Sequence, residues 1–144
     1  MRILVLDGPN LNLVGTREPH IYGSETLAQI HDRVRARAGE LDVHVDTFQS
    51  NHEGRLIDRL HARDFDGSIV NAGGLTHTSV ALRDALLAVD RPFVEVHLSD
   101  PAARETFRSV NFLHDVAISS IAGQGPAGYV QALETIVEHL RAGR

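Results

Sequence analysis

The chain has 144 residues, a formal net charge of -5 and no cysteine; this length predicts about one domain with a core that needs no staples, and the composition excludes disulfides, thiolate nucleophiles and cysteine metal sites. Hydrophobic residues at 42% and charged ones at 23% are ordinary globular values, and a negative chain without a basic cluster argues against nucleic acid as the main partner. All 14 basic residues are arginine, so no side chain can form a Schiff base and there is no Walker-type phosphate lysine.

In "MRILVLDGPN" the apolar run is far too short for a signal peptide or membrane span, which predicts a cytoplasmic protein with no membrane partner. Its centre, Ile3–Asp7, reads as a strand. A loop of 16 residues follows, "GPNLNLVGTREPHIYG", long for a compact domain and therefore a lid or binding loop. A helix is predicted at about Ser24–Gly39, where Leu27, Ile30, Val34 and Ala38 form one stripe and Ser24 or Thr26 can cap. Next come a strand at Val43–Phe48, a helix at Glu53–Arg63 and a strand at Gly67–Asn71. After "NAGGLTHTS" a helix at Ser79–Ala88 leads to a strand at Pro92–His97, then to "HLSD". A last strand, Ala117–Ala122, precedes a helix at Ala127–Arg141 with Val130, Leu133, Ile136, Val137 and Leu140 on one face.

Strands alternating with helices predict an α/β fold with helices on both faces of a parallel sheet and right-handed crossovers. A flavodoxin-like, doubly wound five-stranded sheet of order 2-1-3-4-5 fits the length, as a single catalytic domain over residues 1–144. Ligands bind such sheets at the carboxyl ends of the strands. The segments after the first, third and fourth strands should therefore converge on one edge.

Each candidate in those segments has a functional and a plain reading. Tyr22 has an ordinary pKa near 10, so about one in a thousand is ionised at pH 7, and bringing it to 7 requires roughly 4 kcal/mol in favour of the phenolate. Arg17 shares its loop and is the obvious source; the alternative is an aromatic anchor. His97 ends an apolar strand as a general acid or as a satisfied sheet-edge histidine. His77 is a hydrogen-bond donor to a ligand or a helix-start residue. Asn71, Gly73 and Gly74 make either a ligand-approaching turn or a plain connection, and Leu98 and Ser99 offer backbone N–H groups or a turn. Arg104 and Arg108 share a face if their segment is helical, as a clamp or as a solvated surface. Asp84 reads as exposed unless something docks on it. Glu95, inside an apolar strand, needs a partner such as a histidine. The seven other histidines read as surface residues, without metal-ligand spacing, so no metal is expected.

"GQGPAG" (Gly123, Gly125, Gly128) follows a strand and matches the dinucleotide glycine pattern. That fingerprint needs a further strand with an acidic residue about 20 positions on, and only 16 residues follow Gly128. It reads as a turn and helix start, with no nucleotide role.

Together, "GPNLNLVGTREPHIYG", "QSNHEGRLIDRLH", "NAGGLTHTSVALRDAL" and "VEVHLSDPAARETFR" resemble, in order and at the same spacing, the successive signature blocks of the type II 3-dehydroquinate dehydratases. The resemblance implies a flavodoxin-like fold and a cofactor-free trans-elimination of water from 3-dehydroquinate to 3-dehydroshikimate through an enolate, in the shikimate pathway or in quinate breakdown. It implies Tyr22 as the tyrosinate base, Arg17 as the arginine that lowers its pKa, and His97 as the acid for the departing hydroxyl, supported by Glu95. Asn10 matches the asparagine near the enolate oxygen. Asn71, His77, Arg108, Leu98 and Ser99 match substrate contacts, the last two through backbone N–H groups. Asp84 matches an aspartate reaching a neighbouring subunit's site, in a homo-oligomer that is a dodecamer of trimers.

Enolate chemistry next to a ketone needs a base, a stabilised oxyanion and an acid, and a lysine-free chain excludes the Schiff-base route to the same product. Two blocks depart from the family: Asp100 stands where asparagine is usual, and "SVNFL" (109–113) is atypical. Both bear on fine substrate affinity. The rival class on this fold is a receiver or flavin carrier. A receiver needs an acidic cluster and a lysine, and a flavin carrier a hydroxyl-rich phosphate loop where this chain has "GPNLN". A third reading is a homologue without activity, against which Arg17, Tyr22 and His97 stand.

Overall fold

The computed structural model describes residues 1–16 and 18–143, with only the main chain at Ile21 and Tyr22. Five strands, β1 (Arg2–Asp7), β2 (His44–Gln49), β3 (Gly67–Asn71), β4 (Phe93–His97) and β5 (Ser119–Ala122), form a parallel sheet of order β2-β1-β3-β4-β5. The helices are α1 (Pro19–Tyr22), α2 (Leu27–Glu40), α3 (Glu53–His61), α4 (Val80–Val89) and α5 (Ala127–Ala142). The expected flavodoxin-like order is the one observed.

Side chains alternate across a pleated strand, and β1, β3 and β4 each serve two cores. Ile3 and Val5 of β1, Ile69 of β3 and Val94 and Val96 of β4 pack with Ile30 and Val34 of α2 and Leu133 and Ile136 of α5. Leu4, Leu6, Val70 and Phe93 face the opposite way, against Leu56 and Leu60 of α3 and Leu82, Leu86 and Val89 of α4. The same alternation decides where the polar strand ends point. Asp7 and Asn71 continue the α2/α5 face, whereas Glu95 and His97 continue the α3/α4 face.

Local chemistry explains the boundaries. Thr26, one of the two expected caps, accepts the Gln29 N–H at 3.2 Å while Gln29 Oε1 accepts the Thr26 N–H at 2.9 Å, a reciprocal capping box that starts α2 at Leu27. Ser79 caps α4 through a 2.8 Å bond from Leu82 N–H and so stands just outside it. β5 starts two residues later than expected because Ala117 N–H turns back to the Leu113 carbonyl. The Arg104–Arg108 stretch is not one helical face: Pro101–Ala103 and Thr106–Ser109 are separate 3-10 turns. "GQGPAG" is the turn between β5 and α5, and Gly128 packs at the start of α5 against Ile121 and Val96.

Two glycines let the loops after β1 and β3 touch. Gly8 donates its N–H to the Asn71 carbonyl at 2.8 Å, and a Cβ there would meet the Ala72 carbonyl oxygen at 2.3 Å. Gly73 has φ 59° and lies against the Pro9 carbonyl, where a Cβ would sit at 3.0 Å; left-handed backbone suits glycine. Gly8→Ala must push two backbones apart and is expected to cost about 1–3 kcal/mol of stability. A urea midpoint equal to that of the parent chain would mean that the two loops are not in contact.

Candidate active site

Beyond the carboxyl ends of β1, β3 and β4 lies a pocket lined by Pro9, Asn10, Leu11, Val14, Asn71, Gly73, Gly74, His77, His97, Leu98, Ser99, Pro101, Arg104 and Arg108. Its volume is about 130 Å³, below the roughly 300–1,000 Å³ of drug-sized sites, which suits a small polar molecule. Of the residues singled out in the sequence, Asn10, Asn71, Gly73, Gly74, His77, His97, Leu98, Ser99, Arg104 and Arg108 meet here. Arg17 and the side chain of Tyr22 lie outside the described residues. Asp84 is exposed on α4 and does not line the pocket.

His97 closes β4 with its side chain 9% exposed, and its Nε2 lies 3.2 Å from Glu95 Oε2. The approach is off the hydrogen-bonding direction, so the two groups are in close contact without an aligned hydrogen bond. Glu95 itself is 1% exposed and has further support: Ser120 Oγ donates to Oε1 at 2.8 Å and Asn111 Nδ2 to Oε2 at 2.9 Å. Burial alone would raise its carboxyl pKa, but His97, Ser120 and Asn111 outweigh that and hold it below the ordinary value. Glu95 thus has the histidine partner that a carboxylate in an apolar strand requires.

Asn111 belongs to the atypical 109–113 stretch, and its contacts change what that stretch does. Its Oδ1 accepts the N–H groups of Leu113 and His114 at 2.8 and 2.9 Å, which turns the amide towards Glu95. Next to it, the Val110 carbonyl accepts from His77 Nδ1 at 2.6 Å. A carbonyl only accepts, so Nδ1 carries the hydrogen, and a neutral His77 offers the pocket an Nε2 lone pair; donation to a ligand, the sequence expectation, requires the imidazolium. The other departure, Asp100, caps the Pro101 turn by accepting the Ala102 N–H at 3.0 Å. Arg108 is ion-paired with Glu105 and its guanidinium lies 5.3 Å from the centre of the Phe107 ring.

Sequence reasoning overlooked the residues that hold the pocket from behind. Asn10 adopts φ 70°, and its N–H is received by Asn51 Oδ1 at 2.9 Å; Gln49 Nε2 bonds the same Oδ1 and the Gly8 carbonyl, each at 3.2 Å. His31, expected on the surface, is 7% exposed, with Nε2 2.7 Å from Asp7 Oδ2. Asp7 Oδ1 receives the Tyr129 hydroxyl at 2.6 Å, and that hydroxyl accepts Asn71 Nδ2 at 2.8 Å. Position 31 lies one step beyond Ile30 on the buried face of α2, the only local signal available. Among the described residues no three His, Asp or Glu side chains gather as a metal site, and no helix is long and apolar enough to cross a membrane.

The lowered Glu95 pKa has a consequence for acid stability. Its contribution is fully present above the unfolded carboxyl value, 4.5, and is lost as pH falls through the lower folded value. Glu95→Gln is expected to flatten the fall of the unfolding midpoint as pH drops below about 4.5. An equally steep acid limb in the variant would remove Glu95 as a source of that loss.

Comparisons with known proteins point to one family. The chain is 56% identical to a 3-dehydroquinate dehydratase of Bordetella pertussis, over 96% of this chain and 98% of that one. A catabolic 3-dehydroquinase of Podospora anserina is 51% identical, over 97% and 96% of the two chains. The crystal structure of a type II dehydroquinase from Butyrivibrio crossotus superposes with a TM-score of 0.92 at 38% identity, covering 95% of this chain and 97% of that one. The model of the family described as "Dehydroquinase class II" matches residues 1–137, and the chain belongs to that family.

Proposed function

We propose that the chain is a 3-dehydroquinate dehydratase, a hydro-lyase that eliminates water from 3-dehydroquinate by a cofactor-free, enolate-forming trans-elimination. The observation that carries this reading is His97, a pocket histidine backed by a buried and fully supported carboxylate, in a chain that matches its family almost end to end. The Bordetella relative is named for this reaction and the Podospora relative for its catabolic use, and one chemistry serves both.

On this reading Tyr22, as the tyrosinate, takes a proton from the carbon next to the ketone, with Arg17 lowering its pKa. The electrons form an enolate, whose oxygen lies by Asn10. The enolate re-forms the ketone and expels the hydroxyl, which His97 protonates to water while Glu95 steadies the ring. Asn71, His77 and Arg108 bind the substrate's polar groups, with the N–H groups of Leu98 and Ser99. Each turnover leaves the tyrosine protonated and the histidine one proton short. A proton must therefore pass from one to the other through solvent before the next turnover.

Asp84 fits the same reading only in an assembly, the dodecamer of trimers, in which it serves a neighbouring subunit's site. Val80 and Leu87, each 51% exposed, stand one helical turn either side of it at helical spacing. That apolar flank supports a subunit contact on this face of α4.

Purified protein with 3-dehydroquinate is expected to produce the ultraviolet absorbance of a conjugated enone, undiminished by chelator or by borohydride pretreatment. Tyr22→Phe and His97→Ala are each expected to lower kcat by about 10²–10⁴-fold with the fold intact, the usual worth of a positioned base or acid. A flat trace from folded parent protein would overturn the reaction. Near-parental kcat in either variant would remove that residue from its role.

A further inference from the structure

We infer that Asp7, His31 and Tyr129 form a buried positioning relay that fixes which way round the Asn71 amide faces the pocket. The proposal rests on Asn71 being a substrate contact, as read above, and goes beyond it by assigning three residues outside the pocket to the substrate's recognition.

The polarity follows from donor and acceptor capacities. Asp7 is fully buried at the end of β1, and as a carboxylate it only accepts. One oxygen takes the Tyr129 hydroxyl at 2.6 Å and the other takes His31 Nε2 at 2.7 Å. Tyr129 has a single hydroxyl hydrogen, and once this is given to Asp7 its oxygen can only accept. Asn71 must therefore present Nδ2 to it, at 2.8 Å, which turns Oδ1 towards the Gly73 N–H at 3.2 Å. What remains of the amide is the second Nδ2 hydrogen and one lone pair of Oδ1. The relay thus leaves Asn71 a hydrogen to donate in the pocket, suited to a substrate hydroxyl or carbonyl oxygen.

The cluster is polar in an otherwise apolar layer. Asp7 and Asn71 are direct partners in the β1–β3 register and share a face, and around them are the apolar residues of α2 and α5. Tyr129 is wholly buried, and burial, then the Asp7 charge, keeps its hydroxyl pKa well above the ordinary value. The phenol therefore keeps its hydrogen throughout the working pH range.

The test compares Asn71→Ala, Tyr129→Phe, Asp7→Ala and Asp7→Asn by kcat, KM and thermal midpoint, together with the side-chain amide NMR signals of Asn71. Tyr129→Phe removes one oxygen from the core and is expected to raise KM about three- to tenfold, the worth of one hydrogen bond, with little change in kcat, since uniform binding is lost. Asp7→Ala is expected to do the same, and Asp7→Asn, whose Oδ1 still accepts the phenol hydrogen, to recover most of that loss. The Asn71 amide signals are expected to move in Tyr129→Phe and to stay near their parental positions in Asp7→Asn. Lowered thermal midpoints with unchanged KM and unmoved Asn71 signals would overturn the relay. If Asn71→Ala leaves KM unchanged while Tyr129→Phe moves the Asn71 signals, the contact reading fails and the orienting role survives. Should Tyr129→Phe not fold, the two Asp7 variants decide the question by the same readouts.

Discussion

The pocket depends on β1 and β3 lying side by side at the centre of the sheet and on their pairing running one residue past the strands. Asp7 is level with Asn71, and the bond from Gly8 N–H to the Asn71 carbonyl carries the ladder into the loops. In a parallel sheet both chains leave in the same direction, so both loops start from one point and must pass each other at backbone contact. Only a residue without Cβ fits where Gly8 meets Ala72. Everything that lines the near wall of the pocket, from Pro9 to His77, hangs from that contact.

The second constraint is the cost of polar groups at buried strand ends. Asp7 and Glu95 are both almost wholly removed from water, and an unpaired carboxylate there would cost several kcal/mol. The pleat sends them to opposite faces, where each is met by a histidine and by neutral donors: His31 and Tyr129 for Asp7, His97, Ser120 and Asn111 for Glu95. The same partners that make burial tolerable also hold pocket groups still. On one face that group is the Asn71 amide, on the other the His97 ring. Support of the fold and aim of the site are here one set of bonds.

This division explains what could be read in the chain and what could not. Apolar runs and helical stripes report burial, a local property, and they located the strands and the four longer helices to within two or three residues, while α1 lies inside the segment read as a loop. The shifts at the starts of α2 and α4 came from side chains borrowed as caps, Thr26 and Ser79, and that of β5 from a backbone turn. His97 and Glu95 were legible because one residue sits beside the other in an apolar strand. His31 and Tyr129 were not, because their meaning lies in Asp7, 24 and 122 residues away. A histidine on a helix reads as a surface residue until the tertiary fold brings a carboxylate to it. Tyr129 is by its ring a core aromatic; its hydroxyl carries the rest.

The atypical 109–113 stretch follows from the same logic. It lies beside the pocket in sequence, so substrate affinity is the natural first reading of its departures. In the fold it is a strap between two histidines: the Val110 carbonyl takes His77 Nδ1 and Asn111 takes hold of Glu95 behind His97. The strap is itself fastened, by the Phe112 N–H on the Thr76 carbonyl and by Arg83 on both the Phe112 carbonyl and Asp115. A substitution in this strap therefore alters His77 and His97 together, one through its ring hydrogen and one through the charge behind it. Neighbouring positions in the strap should accordingly couple in double-mutant cycles, since additivity is expected only of sites without shared partners.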